Sequence, residues 1–282
     1  MTDQAGQSQP QSPRQRVTVP LVRAMKRSHG SAPIVMVTAY DFPAARAVDA
    51  AGADIVLVGD SLAMTVLGHQ DTLSVSVGEM AHHVRAVSRA QPSALLVADL
   101  PWMSYHLGTK DALRNAARLI RAGAKAVKLE GGLSRANVIR ALCAAEIPVM
   151  GHLGLTPQSV NVFGGFKVQA RRPGATEELA RDAAELEAAG CFSIVLEGIP
   201  DVVAAEVTKA VAVPTIGIGA GVHCDGQVLV YHDLLGMSFG ARPKFVRRYA
   251  NLQEEAIEAL KEFCSDVREG RFPSADETYH QR

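Results

Sequence analysis

The sequence predicts an α/β protein: a (β/α)8 TIM barrel with an N-terminal helix, in a single domain. Three observations carry that reading. Eight short apolar runs recur along the chain, alanine-rich amphipathic segments separate most of them, and an Ala-Gly pair stands just ahead of a run at 51–52, 122–123 and 189–190. A small residue followed by glycine stops a helix, because glycine adopts the left-handed conformation that closes a C-terminus. Runs that are apolar on both faces suit a parallel sheet covered by helices. The alternative is an open doubly wound sheet, but no G-x-G-x-x-G follows the first run, and the strand count closes at eight.

Each element follows in order. Residues 1–16, rich in Gln, Ser and Pro and lacking an apolar h-region, predict a disordered tail rather than a signal peptide. The catalytic barrel then spans 17–282. "VTVPLVRAMKRSHG" (17–30) carries apolar residues at helical spacing and ends on Gly30, predicting a short leading helix. Strands are expected at 33–40, 53–59, 94–99, 125–130, 147–152, 192–197, 213–219 and 227–233, and a C-terminal helix from about Phe245. The stretch "FGGFKVQARRPGATEE" after the fifth strand is long, and a long loop on that side of a barrel is a candidate lid.

Composition narrows the function classes. Lysine plus arginine equals aspartate plus glutamate at 29 each, so no electrostatic footprint for nucleic acid or an anionic membrane is present. No run reaches the length of a membrane span. Cys143, Cys191, Cys224 and Cys264 stand alone without a C-x-x-C pair, as expected of incidental thiols in a reducing cytoplasm.

Acidic residues interrupt the apolar runs at their C-terminal ends. Asp60 ends strand 2 in "IVLVGDS", Asp99 ends strand 3, Glu130 ends strand 4 and Glu197 ends strand 6; Asp41 follows strand 1 and His152 ends strand 5. All C-termini of barrel strands share one face, so these residues converge on one mouth. Buried carboxylates without partners are destabilising by several kcal/mol each, and several together repel one another; a divalent cation resolves both problems. Oxygen ligands with a single nearby imidazole favour Mg2+, which takes one or two carboxylates and keeps sites for water and substrate, whereas zinc wants more histidine or cysteine.

Each residue also has a plainer reading. Asp60 could cap the following turn. Lys128, two residues before Glu130, shares its face of the strand; the two are a structural pair or part of a site in the lumen. His152 is a core histidine or a substrate contact. Asp41, followed by Phe42-Pro43, reads as a helix cap. The glycines of "TIGIGAGVHCDGQ" are an anion cradle or a close-approach turn.

The motifs "TAYD" (38–41), "LVGDS" (57–61), "ADLP" (98–101), "AVKLEGG" (126–132), "GHLGLTPQSVN" (151–161), "GGFKVQ" (164–169), "LEGIP" (196–200), "GIGAG" (217–221) and "DGQVLV" (225–230) stand in an order that resembles the ketopantoate hydroxymethyltransferase family. The resemblance covers nearly all of the chain from about residue 17. It implies one-carbon transfer from 5,10-methylenetetrahydrofolate to 3-methyl-2-oxobutanoate by way of a Mg2+-stabilised enolate, giving 2-dehydropantoate for pantothenate and coenzyme A synthesis. It also implies a homodecamer acting on small molecules in the cytoplasm. By this likeness Asp60 and Asp99 bind Mg2+ directly, Glu130 joins its shell through water, substrate meets Asp60, Ser61, Asp99 and Lys128, and Glu197 is the proton acceptor. Gly198 departs from the bulkier residue or cysteine expected after that base. Two rivals are a Mg2+-dependent lyase of the phosphoenolpyruvate mutase and isocitrate lyase type, whose Lys-Lys-Cys-Gly-like loop is absent here, and a non-catalytic barrel.

Overall fold

A computed structural model describes residues 14–240 and 242–281. The tail expected over 1–16 lies outside the described residues as far as position 13. Arg14 donates to the Ala53 carbonyl (2.6 Å) and pairs with Asp54 (2.9 Å).

Eight strands form a closed barrel in sequence order: β1 (Ile34–Thr38), β2 (Ile55–Val58), β3 (Leu95–Asp99), β4 (Ala126–Glu130), β5 (Val149–Gly154), β6 (Ser193–Glu197), β7 (Thr215–Ile218) and β8 (Gly226–Leu229). Successive strands pair in parallel. Every residue of β2, β3, β4 and β7 is buried, as a sheet with both faces covered requires.

The connecting helices start and stop where local chemistry dictates. Asp41 accepts from the Ala44 N–H (2.8 Å) and caps the helix Phe42–Ala50, the role read for it from the sequence. Ser76 and Glu79 form a reciprocal capping box on Val77–Ser88. Gly52, Gly123 and Gly190 all take positive φ (88°, 124° and 111°), the left-handed stops that the Ala-Gly repeats predict.

Three boundaries differ from expectation. The leading helix is short, Val19–Ala24, and a separate 3-10 turn covers Arg27–His29. Lys26 between them is extended (φ −61°, ψ 125°) because its ammonium turns inward. It donates to the carbonyls of Thr208 (2.7 Å) and Val213 (3.1 Å) and lies 3.0 Å from Asp225. Asp225 in turn accepts from the N–H groups of Arg27 (2.9 Å) and Thr215 (2.8 Å). Thr215 opens β7 and Asp225 precedes β8, so this buried ion pair closes the N-terminal end of the barrel. The eighth strand stops at Leu229, and Tyr231–Leu234 turn into a short helix. The C-terminal helix begins at Leu252, not 245, since the N–H groups of Tyr249 and Leu252 are committed to the carbonyls of Leu234 and Leu235.

The chain divides into two compact units, one ending at Val228 and one starting at Leu229. In the second, the helix Leu252–Arg268 exposes Ile257, Leu260, Phe263 and Val267. Among the described residues, no helix is long and apolar enough to cross a membrane.

Candidate active site

Strand register assembles the site. Asp99 sits opposite Lys128, Glu130 opposite His152, and Gly154 opposite Glu197. Parallel pairing sets such partners side by side, so the C-terminal ends of β3 to β6 bring two acids, a lysine and a histidine together in one continuous row, with Glu197 at its end. β2 adds Asp60 and Ser61 just past its last residue. Gly59 makes that turn possible: a Cβ there would lie 2.9 Å from Ser61 Oγ and 3.5 Å from Asp99 Oδ2.

The side chains expected to converge do so. The Asp60 N–H donates to Asp99 Oδ2 (3.0 Å), and Lys128 Nζ lies 3.0 Å from Asp99 Oδ1. Asp60, Asp99, Lys128, Glu130 and His152 are all buried, at 2–5% exposure. Glu130 faces His152 Nδ1 (Oε1, 3.3 Å) and accepts from the Gln158 N–H (Oε2, 2.9 Å). His152 Nε2 lies 3.2 Å from Glu197 Oε2, an ion contact without an aligned hydrogen bond. Glu197 is the most open of the acids, its side chain 15% exposed. Ser61 Oγ meets the Tyr40 hydroxyl at 2.8 Å.

Electrostatics follow from this crowding. Burial, then the neighbouring Asp99 and Glu130, push Asp60 well above the usual carboxylate range, against the pull of Lys128 and the Gln158 amide. Asp99 is raised by burial although Lys128 opposes it. Burial would discharge Lys128, but Asp99, Glu130 and Asp60 outweigh it and hold the ammonium charged. Burial and Lys128 likewise press His152 down, yet the carboxylates at both ring nitrogens raise it to about 9. His152 thus stands between Glu130 and Glu197, with Lys128 Nζ also 3.3 Å from its Nδ1.

Four carboxylates against one ammonium and one imidazolium leave two negative charges when all are ionised. Asp99 Oδ1 is buried and, beyond its ion contact, makes no hydrogen bond. An acceptor met only by an ammonium, in a cluster with more acids than bases, fits a dication. Among the described residues, no three His, Cys, Asp or Glu side chains form a ligand cage. A cation here would therefore rest on Asp60 and Asp99 and draw its other ligands from substrate and water, the habit of Mg2+ rather than zinc. Glu130 has both oxygens engaged by protein groups, His152 and the Gln158 N–H.

Three contributors escaped sequence reasoning. Gln158 donates from Nε2 to Asp60 Oδ2 (2.8 Å) and to the Leu100 carbonyl (2.9 Å). The Tyr105 hydroxyl donates to Gln158 Oε1 (2.6 Å) and accepts from the Glu130 N–H (3.2 Å). Tyr40, raised to about 12 chiefly by burial, supports Ser61. The loop expected to form a lid, 163–178, follows the turn Pro157–Ser159 and the short helix Val160–Phe163, is tied down where the Gln169 N–H meets the Gly198 carbonyl (2.9 Å), and runs into the helix Ala175–Ala188. Gly198 has φ +55°, and a Cβ would stand 3.0 Å from Leu155 Cβ, so glycine suits the turn after Glu197.

A parallel barrel with acids, lysine and histidine at its C-terminal rim defines an α/β-barrel enzyme. The sequence profile described as "Ketopantoate hydroxymethyltransferase" matches residues 16–275. The chain belongs to that family and is a transferase. It is 52% identical over 269 residues to "3-methyl-2-oxobutanoate hydroxymethyltransferase 2" of Bradyrhizobium diazoefficiens, covering 95% of this chain and 91% of that one. It is 54% identical to the enzyme so named in Moorella thermoacetica, covering 94% and 98%. Among solved structures, 2,3-dimethylmalate lyase, a PEP mutase/isocitrate lyase superfamily member, shares the fold at TM-score 0.59 and 17% identity, covering 95% and 90%. A phosphonopyruvate hydrolase crystallised with oxalate and Mg2+ does so at 0.58 and 18%, covering 92% and 93%.

Proposed function

We propose that the chain transfers a one-carbon unit from 5,10-methylenetetrahydrofolate to 3-methyl-2-oxobutanoate, giving 2-dehydropantoate. The observation that supports this most is the buried cluster of Asp60, Asp99, Lys128 and Glu130, three acids against one ammonium, with Asp99 Oδ1 making no hydrogen bond beyond its ion contact with Lys128. Membership of the family and the names of its relatives supply the substrate.

Asp60 and Asp99 would hold Mg2+, with Glu130 touching its shell through water. A cation held there would supply Lewis-acid polarisation of the 2-oxo group and offset the negative charge that proton loss from C3 creates. Lys128 attracts the substrate carboxylate as a point charge, and Ser61, braced by Tyr40, donates to it. Asp60 and Asp99 orient the 2-oxo acid. Glu197 takes the C3 proton and the carbon so freed bonds to the folate-derived methylene carbon, while His152 keeps the Glu197 carboxylate oriented. Over the whole reaction both C–N bonds of that carbon break, one water supplies the product hydroxyl, and the C3 proton and the remaining water proton pass to the two folate nitrogens as tetrahydrofolate leaves. By family likeness the reading extends to a homodecamer working in the cytoplasm, in pantothenate synthesis; analytical ultracentrifugation checks the assembly.

Incubating the chain with 3-methyl-2-oxobutanoate in D2O, with and without Mg2+, tests the proposal. Metal-dependent loss of the C3 proton without cleavage is expected. Cleavage products would favour a lyase, and no exchange under either condition would overturn the reading.

A further inference from the structure

Gln158 lies on the turn after β5, yet its side-chain amide reaches Asp60 in the acid cluster. It is 6% exposed, and both donors of its amide are used, one on Asp60 Oδ2 and one on the Leu100 carbonyl. Its amide oxygen accepts from Tyr105 at 2.6 Å. Turned over, the amide would set its oxygen against a carboxylate and a carbonyl, two acceptors, so only one orientation is satisfied. The main chain of the same residue donates to Glu130 Oε2 (2.9 Å). Tyr105 completes the frame, since its hydroxyl accepts from the Glu130 N–H at 3.2 Å while donating to Gln158.

We propose that Gln158 is the positioning residue of the metal-facing acids, with Tyr105 as its lock. The amide holds Asp60 by Oδ2 and leaves Oδ1 for a cation. The backbone N–H holds Glu130 by Oε2 beside the same cluster. One residue thereby sets the spacing between acids carried by β2 and β4, strands that do not pair with each other. The role rests on the reading of Asp60 and Asp99 as cation ligands. Groups that orient metal ligands from behind typically change metal affinity by about 10–100-fold when removed.

The test is Mn2+ titration of the full chain, read by electron paramagnetic resonance without substrate or turnover, on wild type, Gln158→Ala and Tyr105→Phe. Gln158→Ala is expected to weaken the Mn2+ Kd about 10–100-fold, and Tyr105→Phe to weaken it less, because the unlocked amide can rotate. Urea midpoints are measured alongside. A merely structural role would lower the midpoint and leave the Kd of the folded protein unchanged, and that result overturns the proposal. If Gln158→Ala does not fold, Tyr105→Phe decides: a wild-type Kd in it overturns the lock and the positioning role together. A wild-type chain that takes up no Mn2+ overturns the cation reading and this role with it, whereas Mn2+ binding unaffected by both variants overturns the role alone.

Discussion

Replacing Lys26 by Met should separate stability from catalysis. The Lys26 ammonium is buried at the N-terminal end of the barrel and touches two carbonyls, at 2.7 and 3.1 Å, and Asp225 at 3.0 Å. Breaking a buried ion pair by removing one partner is destabilising by roughly 3–5 kcal/mol, because the other charge is left uncompensated. Asp225 retains the N–H groups of Arg27 and Thr215 and the Thr215 hydroxyl. Three remaining donors place the loss near the lower end, about 3 kcal/mol. The companion Lys26→Met/Asp225→Asn removes both charges and should recover part of that loss, since an apolar or neutral replacement of a whole pair is often tolerated. Urea unfolding followed by circular dichroism measures both. Turnover per folded molecule should stay at the wild-type level, because the N-terminal face of a barrel carries stability and the opposite rim carries chemistry. A Lys26→Met protein within about 0.5 kcal/mol of wild type, the range of ordinary surface changes, would refute the reasoning, as would a large fall in turnover at unchanged stability.

The other predictions concern the rim. Glu197→Gln should slow C3 deuterium exchange by about 10²–10⁴-fold, the usual contribution of a positioned base, while metal-dependent substrate binding by calorimetry persists; full exchange excludes Glu197 as the base. Asp60→Ala or Asp99→Ala should raise the Mg2+ concentration needed for half-maximal activity, and an unchanged metal titration would remove the ligand role. Gly154→Ala places a Cβ on the Glu197 carbonyl oxygen and 2.7 Å from Ile199 Cγ2, at a φ of +90°. It should slow exchange by displacing the base, and an exchange rate equal to wild type would show that the turn absorbs the methyl.

The strands and the acids were legible in the sequence for the same reason. An apolar run ending in a carboxylate is a local pattern, and barrel geometry converts several such endings into one site; Asp60, Asp99, Glu130 and Glu197 all arise this way. Lys128 was legible through its two-residue spacing from Glu130. Gln158 and Tyr105 were not, because they sit on turns without periodicity and act across 98 and 53 positions of sequence. Tyr40 was hidden at the end of an apolar run, where an aromatic residue reads as core. The leading helix was overextended because helical spacing in 17–30 says nothing of the buried carboxylate, about two hundred positions on, that draws Lys26 inward.

His152 touches two acids, Glu130 at one ring nitrogen and Glu197 at the other. A shared tether of this kind makes the metal side and the base side of the pocket mutually dependent, with no backbone shift required to carry a disturbance between them. Substitutions at Glu130 and Glu197 should therefore give kinetic losses that do not multiply, and any redesign of the pocket would have to treat the two ends as a single unit.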